Sequence, residues 1–254
     1  MKKNRILFLT GSNGQLGGSI INCFSKKNWK IFGLDIQENT SNKEVFSYVS
    51  GSVSKRESFE ELFAQAEKEI KSNSDLCLVN NAGVAVFSPS EERTYEEFKQ
   101  VSEVNLLGPI FGCTEFYKFL KKKKKYLSGD SKLQIINIAS IYGIISPNKT
   151  IYTDTARTSS EIYGATKAGL IQMTKYFATR YADFGMRVNC IAPGGVLNNS
   201  LQGPEFIKNY SNLVPLKRLC NDNEVSALIY SLVTGDFNYV TGQTIAIDGG
   251  MTSW

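Results

Sequence analysis

Tyr163 and Lys167 lie four positions apart in Tyr163-Gly164-Ala165-Thr166-Lys167, and the stretch continues through Ala168-Gly169-Leu170-Ile171 with helical spacing. Residues four apart share one helix face, so the phenol and the ammonium can converge on one point. A free tyrosine titrates at about 10, and a fixed cation beside it favours the phenolate and draws that value down. Such a phenol gives a proton to a carbonyl oxygen or takes one from an alcohol. The same pair also occurs on solvated helices without chemistry, so its company decides. Ser140 follows the apolar run Ile135-Ile136-Asn137-Ile138-Ala139. At a strand's carboxyl end its hydroxyl can bond a reacting oxygen and stabilise developing charge; otherwise it is a turn residue. The chain has no histidine, which removes Ser-His-Asp and Cys-His catalysis and histidine-ligated metal sites. Acid–base work falls to Tyr, Lys or carboxylates, and no metal is required.

The elements that would position these groups alternate between strand and helix. Ile6-Leu7-Phe8-Leu9 runs into Thr10-Gly11-Ser12-Asn13-Gly14-Gln15-Leu16-Gly17, followed by a helix over Gly18 to Phe24. A strand, a glycine-rich turn and a helix N-terminus together can cradle a pyrophosphate, the glycines allowing close approach and the free amides facing its charge. The next strand, Lys30 to Asp35, ends on a carboxylate that can accept the ribose hydroxyls of NAD and repel the 2′-phosphate of NADP. No Arg or Lys follows Asp35 closely, so NAD(H) is preferred to NADP(H). Further strands are expected at Phe46 to Ser50, Leu76 to Val79, Leu133 to Ala139, Arg187 to Ala192 and Thr244 to Ile247. Helices are expected from Ser58 to Ile70, from Tyr95 onward, from Tyr163 to Gly185 and from Glu224 to Leu232.

The ordered set of Thr10 to Gly17, Asn80-Asn81-Ala82-Gly83, Ser140, Tyr163 with Lys167, Pro193-Gly194 and Tyr239 to Gly250 resembles the short-chain dehydrogenase/reductase family along nearly the whole chain. The resemblance implies a single Rossmann-like α/β domain over 1–254, doubly wound, with a mostly parallel sheet of about seven strands between helical layers. It implies hydride transfer between a nicotinamide cofactor and a secondary alcohol or ketone. Tyr163 would exchange the proton, Lys167 would lower its pKa and bind ribose, and Ser140 would orient the oxygen. Asn105 would bend its helix and hold a water linking Lys167 to solvent; the competing reading is a buried amide satisfied by backbone. Cofactor contacts are implied for Gly11, Ser12, Asn13, Gln15, Leu16 and Gly17, and for Asp35, Ile36, Ser52, Val53, Asn81, Ala82 and Gly83. Tyr163, Lys167, Pro193, Gly194, Val196 and Asn198 complete that set. Three departures stand out. Gln15 occupies a position where a glycine is usual, giving the Gly14 and Gly17 spacing of the family's larger, sugar-modifying branch. Ser52-Val53 replaces an Asp-Val pair near the adenine. Asn198 replaces the threonine that, with the Val196 backbone, fixes the carboxamide.

Residues 141–162 form a substrate-loop insert longer than the smaller branch usually carries, rich in polar residues: Asn148, Lys149, Thr150, Tyr152, Thr153, Asp154, Thr155, Arg157 and Thr158. They suit a substrate bearing hydroxyls and a phosphate, with Arg157 or Lys149 as the anion contact; a disordered or interface loop is the alternative. Residues 195–215 read as a substrate lid. Pro193 to Asn198 with Gly203-Pro204-Glu205-Phe206 is similar to bacterial reductases of flagellin-glycan and nonulosonic-acid pathways, which implies a phosphorylated or nucleotide-linked sugar. The alternatives are a 3-oxoacyl thioester reductase, a dehydratase or epimerase recycling its nicotinamide, and a non-catalytic dinucleotide-binding regulator or scaffold. The net charge of +5 owes much to Lys121 to Lys125, a solvated helix end, so nucleic acid is not an expected partner. Five scattered cysteines read as reduced thiols in a cytoplasmic protein, and the apolar run after the basic start is too short for a signal peptide or membrane span. The family resemblance implies a homodimer or homotetramer.

Overall fold

Parallel strands covered on both faces must be apolar on both, and β1 (Asn4–Thr10) follows that rule. Its Ile6 and Phe8 face one core while Leu7 and Leu9 face the other, and all four are fully buried. The computed structural model describes residues 3–38, 42–152 and 159–254. Among them β1 joins β2 (Lys30–Asp35), β3 (Ser47–Ser50), β4 (Ser74–Asn80), β5 (Leu133–Ile138), β6 (Met186–Pro193) and β7 (Thr244–Ile247) in one sheet. The order is β3-β2-β1-β4-β5-β6-β7 and every pairing is parallel. The fold is thus the expected single-domain Rossmann-like arrangement, with a sheet that is wholly parallel. The order reverses direction beside β1, between the β1–β2–β3 half and the β4–β7 half, and at such a switch point the strand ends leave a crevice.

Helices α1 (Gln15–Ser25) and α7 (Asp222–Thr234) pack together over the Leu7–Leu9 face. The opposite face is covered by α2 (Arg56–Gln65), α4 (Gly108–Lys123) and α5 (Glu161–Tyr181). Here Phe8 is ringed by Phe32, Phe63, Phe116 and Phe119, with centroids between 5.0 and 6.4 Å away. Helix α3 (Tyr95–Ser102) opens on Thr94, whose hydroxyl accepts from Glu97 N while the Glu97 carboxylate accepts from Thr94 N. It passes into α4 through a π turn, Glu103–Leu107. The expected lid contains a short helix, α6 (Pro204–Leu213), seated on its own apolar cluster of Ile141, Ile151, Tyr210, Val214, Leu219 and Met251. No helix among the described residues is long and apolar enough to cross a membrane. The five cysteines are free thiols.

A polar chain inside the core registers the layers: Asn80 Nδ2 donates to Asn137 Oδ1 at 2.8 Å, and Asn137 Nδ2 donates to Thr174 Oγ1 at 2.9 Å. It ties β4 and β5 to α5, the helix that carries Tyr163. Truncating the central ring tests the packing. Phe8→Ala should lower stability by about 3–5 kcal/mol in urea unfolding, the usual cost of emptying a ring from a filled core.

Candidate active site

Helix α5 begins two residues before Tyr163. Ser160 caps it, its Oγ accepting from Tyr163 N at 3.2 Å, and the buried Arg93 side chain pairs with Glu161 in the same turn. Tyr163 therefore sits on the first turn and Lys167 one turn deeper. Ser140 follows β5 with one residue between; its Oγ accepts from Tyr142 N at 3.2 Å and starts a 3-10 turn over Ile141–Gly143. That turn presses directly onto α5: a Cβ on Gly143 would lie 2.7 Å from the Lys167 carbonyl carbon. Glycine there lets the turn approach closely, and Ser140 and Tyr163 line one cavity together. Three groups from two segments are thus gathered at the carboxyl end of the sheet.

The electrostatics differ from the expectation for Lys167. Burial raises the Tyr163 phenol above its ordinary value, and the Ser140 hydroxyl opposes that rise. Lys167 is buried, with Nζ donating to the Ile138 carbonyl at 2.8 Å and lying 5.6 Å from the Tyr163 ring centroid. Burial draws the lysine itself down to about 8. Burial is the largest influence on both groups, pushing the phenol up and the ammonium down.

Asn105 occupies the π turn and is fully buried, with Oδ1 accepting from Val84 N and Nδ2 donating to Val84 O, each at 2.8 Å. The satisfied-amide alternative describes those two bonds. Asn105 nevertheless lies near Lys167, since a Cβ on Gly83 would stand 3.5 Å from both Asn105 Oδ1 and Lys167 Nζ.

A groove of about 460 Å³ runs along the switch point, lined by Gly11, Asn13, Gln15, Leu16, Asp35, Ile36, Ser52, Val53, Asn81, Ala82 and Gly83 of the expected set. Gly17 stands behind it: a Cβ there would meet the Gly11 carbonyl at 2.2 Å, so only glycine allows α1 this close to the loop. Ser12 is buried with its hydroxyl against Gly33, outside the groove lining. Thr10 Oγ1 accepts from Asn81 N and Ala82 N, each at 3.0 Å, bracing the turn after β4 against the loop. The Asp35 carboxylate accepts from Asn13 N at 2.9 Å and Gln37 N at 3.1 Å, and two such oxygens retain lone pairs for further donors. Ile36 is 75% exposed within the groove, an apolar surface suited to a flat base. Glycines, a carboxylate, an uncovered isoleucine and the N-terminus of α1 together fit an extended dinucleotide, and no Arg or Lys is among the described lining residues. Gln37, Gly51, Val84, Gln100 and Val104 also line it; they lie outside the motifs, and only their adjacency to predicted residues or to Asn105 signalled them.

A second cavity, about 250 Å³, lies beside Ser140 and Tyr163. Gly194 lines it, whereas Pro193 is buried at the end of β6 and Val196 and Asn198 lie further along the same segment. Its walls are Phe87, Tyr142, Tyr152, Phe206 and Tyr210, with Ser159 and Gln202 as polar groups. No charged side chain is among its described lining residues. Lys149 is exposed and does not line this cavity, and Arg157, with Thr153, Asp154, Thr155 and Thr158, lies outside the described residues. Sequence reading missed the aromatic wall because its rings come from separate segments.

A family model described as Enoyl-(Acyl carrier protein) reductase matches residues 24–252. The 3beta-hydroxysteroid dehydrogenase 1 of Eggerthella lenta is 31% identical, covering 98% of this chain and 94% of its own. Glucose 1-dehydrogenase of Gluconobacter oxydans is 33% identical over 80% of this chain and 71% of its own. A crystal structure of a short chain dehydrogenase from Leptospira borgpetersenii, with bound NAD+, superposes with a TM-score of 0.84 at 34% identity, covering 98% of this chain and 93% of that one.

The buried lysine makes stability depend on pH. Below about pH 8 the folded chain holds a desolvated ammonium. Between about 8 and the ordinary value of 10.5 the unfolded chain keeps a proton that the folded chain has released, so stability rises with pH. Unfolding of wild type and Lys167→Met from pH 7 to 10 should show the wild type gaining on the variant by about 2–3 kcal/mol. A difference that stays flat would remove the lowered lysine.

Proposed function

The chain belongs to the short-chain dehydrogenase/reductase family, and from that premise we propose that it transfers hydride between NAD(H) and a secondary alcohol or ketone held on a hydroxylated ring. The observation that carries the reading is the meeting of Ser140 and Tyr163 where the dinucleotide groove adjoins an aromatic-walled cavity. When bound, the nicotinamide supplies the hydride chemistry. Gly11 to Leu16 would hold the pyrophosphate, Asp35 the adenosine ribose, and Ile36, Ser52 and Val53 the adenine. Tyr163 exchanges the proton of the reacting oxygen and Ser140 donates to that oxygen. Lys167, anchored on Ile138, holds a donor towards the groove at Gly83 and contributes a second titrating group near neutrality. Asn105 keeps the Val84 segment beside it, and a water-linked path from Lys167 past Asn105 would carry the proton outward. NAD(H) is favoured over NADP(H) because a 2′-phosphate would meet Asp35 with no cation among the described lining residues.

For the substrate, the polar insert and the aromatic cavity favour a phosphorylated or nucleotide-linked sugar of bacterial glycan biosynthesis. Aromatic faces stack on the apolar side of a sugar ring or on a base, while Ser159 and Gln202 meet hydroxyls. A second reading, an uncharged hydroxylated carbocycle, is favoured by the absence of charge among the described lining residues.

Tyr163→Phe should reduce turnover at least a thousand-fold, within the range of general acid–base contributions, while NADH still quenches intrinsic fluorescence; retained turnover removes the mechanism. Absorbance assays with NAD+ against sugar phosphates, nucleotide sugars and hydroxysteroids separate the substrate readings, turnover on a charged sugar supporting the first. Asp35→Ser should raise the relative affinity for NADPH by at least ten-fold, and an unchanged preference would remove the carboxylate argument.

A further inference from the structure

Two departures from the family pattern, Gln15 in the glycine loop and Asn198 beyond Pro193-Gly194, bond to each other. Asn198 Nδ2 donates to Gln15 Oε1 at 2.9 Å, and Gln15 Nε2 donates to the Leu197 carbonyl at 2.7 Å. Both ends of the Gln15 carboxamide are therefore held by adjacent residues of one segment, with Asp222 Oδ2 as a longer contact at 3.4 Å. Asn198 is itself fixed on its other side: its N–H donates to Gln202 Oε1 at 2.9 Å, and its Oδ1 accepts from Ser200 N at 3.1 Å. Gln202 Nε2 closes the circuit by donating to the Val196 carbonyl at 2.9 Å. Gln15 lines the dinucleotide groove and Gln202 lines the substrate cavity. A continuous hydrogen-bonded path, Gln15 to Asn198 to Gln202, thus joins the two sites.

The place of this path gives it a consequence. Gln15 is the first residue of α1, whose leading amides have no partner within the helix and face the position for a pyrophosphate. A glycine at 15 has no side chain to reach across. A threonine at 198 lacks the amide that donates to Gln15 while accepting from Ser200. The paired replacement puts two bonds between the segments, and because both use the chain's own groups, no part of a dinucleotide is needed to form them.

We propose that Gln15 and Asn198 form a latch across the phosphate end of the cofactor groove, positioning residues that govern how fast the dinucleotide exchanges and keep residues 196–202 in register with the glycine loop. The inference rests on the groove taking NAD(H), as proposed above. A dinucleotide enters or leaves by opening the latch, so breaking it speeds both directions and moves affinity less than rate.

The test is stopped-flow binding and displacement of NADH with wild type, Gln15→Gly, Asn198→Thr and the double variant, thermal unfolding being followed on each. Each single change should speed NADH release about ten-fold, the scale of one to two ordinary hydrogen bonds, with Kd moving less than about three-fold. The double variant should release no more than about two-fold faster than Gln15→Gly, because that change already removes both bonds across the gap. Gln15→Ala replaces Gln15→Gly if the glycine variant fails to fold. Release unchanged in either single variant, or effects that multiply in the double, would overturn the latch with the groove assignment intact. Failure of wild type to bind NADH would remove the groove assignment itself.

Discussion

The parallel register of the sheet is the constraint from which the rest of the site follows. When every strand runs the same way, every carboxyl end lies at one end of the sheet, and the loops leaving that end meet there. Thr10, Asp35, Asn80, Ile138 and Pro193 are the last residues of their strands, and each is followed within three residues by a group that lines the groove or the cavity. Crossovers that return on alternate faces leave a gap where the strand order reverses, and the glycine loop fills one side of it. The buried chain Asn80, Asn137, Thr174 sets the height of α5 at that end and therefore the depth at which Tyr163 and Lys167 arrive.

Depth is where the electrostatics turn. Helical spacing places Tyr163 and Lys167 on one face, but it carries no information on how far that face sinks beneath the 3-10 turn pressed onto it at Gly143. The result is a phenol pushed up and a lysine drawn down, with Ile138 offering a carbonyl as the lysine's anchor. Burial draws such a lysine towards neutrality, so changes in its surroundings alter its charge more than they would for a solvated one.

The strands were legible from the sequence because parallel strands covered on both faces read as unbroken apolar runs. The seven-stranded Rossmann-like order agrees with expectation, the sheet being wholly and not just mostly parallel, and Asp35, Asn81 and the glycine loop line one groove. Boundaries were less legible. Helix α5 starts at a Ser160 cap that the Tyr163 motif overshadowed, and the expected long helix from Ser58 ends at Gln65 before a 3-10 turn. The aromatic cavity was least legible, since Phe87, Tyr142, Tyr152 and Phe206 come from three segments with no shared period. Gln15 and Asn198 were visible as separate oddities; their pairing needed three dimensions, because they lie 183 positions apart.

The π turn at Glu103–Leu107 has a meaning for how this chain tolerates change in length. A π turn is an α-helix with one residue more than the regular winding needs. Removing one residue there would let the helix wind regularly with α3 and α4 keeping nearly the same phase, because the widened turn takes up the extra residue locally. The face of α4 that buries Gly112, Cys113 and Phe116 would stay against the sheet, while the widened turn that carries Asn105 to Val84 would be lost. The five-residue stretch therefore acts as a local spacer. Its residue types can vary as far as packing permits, but its count is tied to the polar floor beside Lys167.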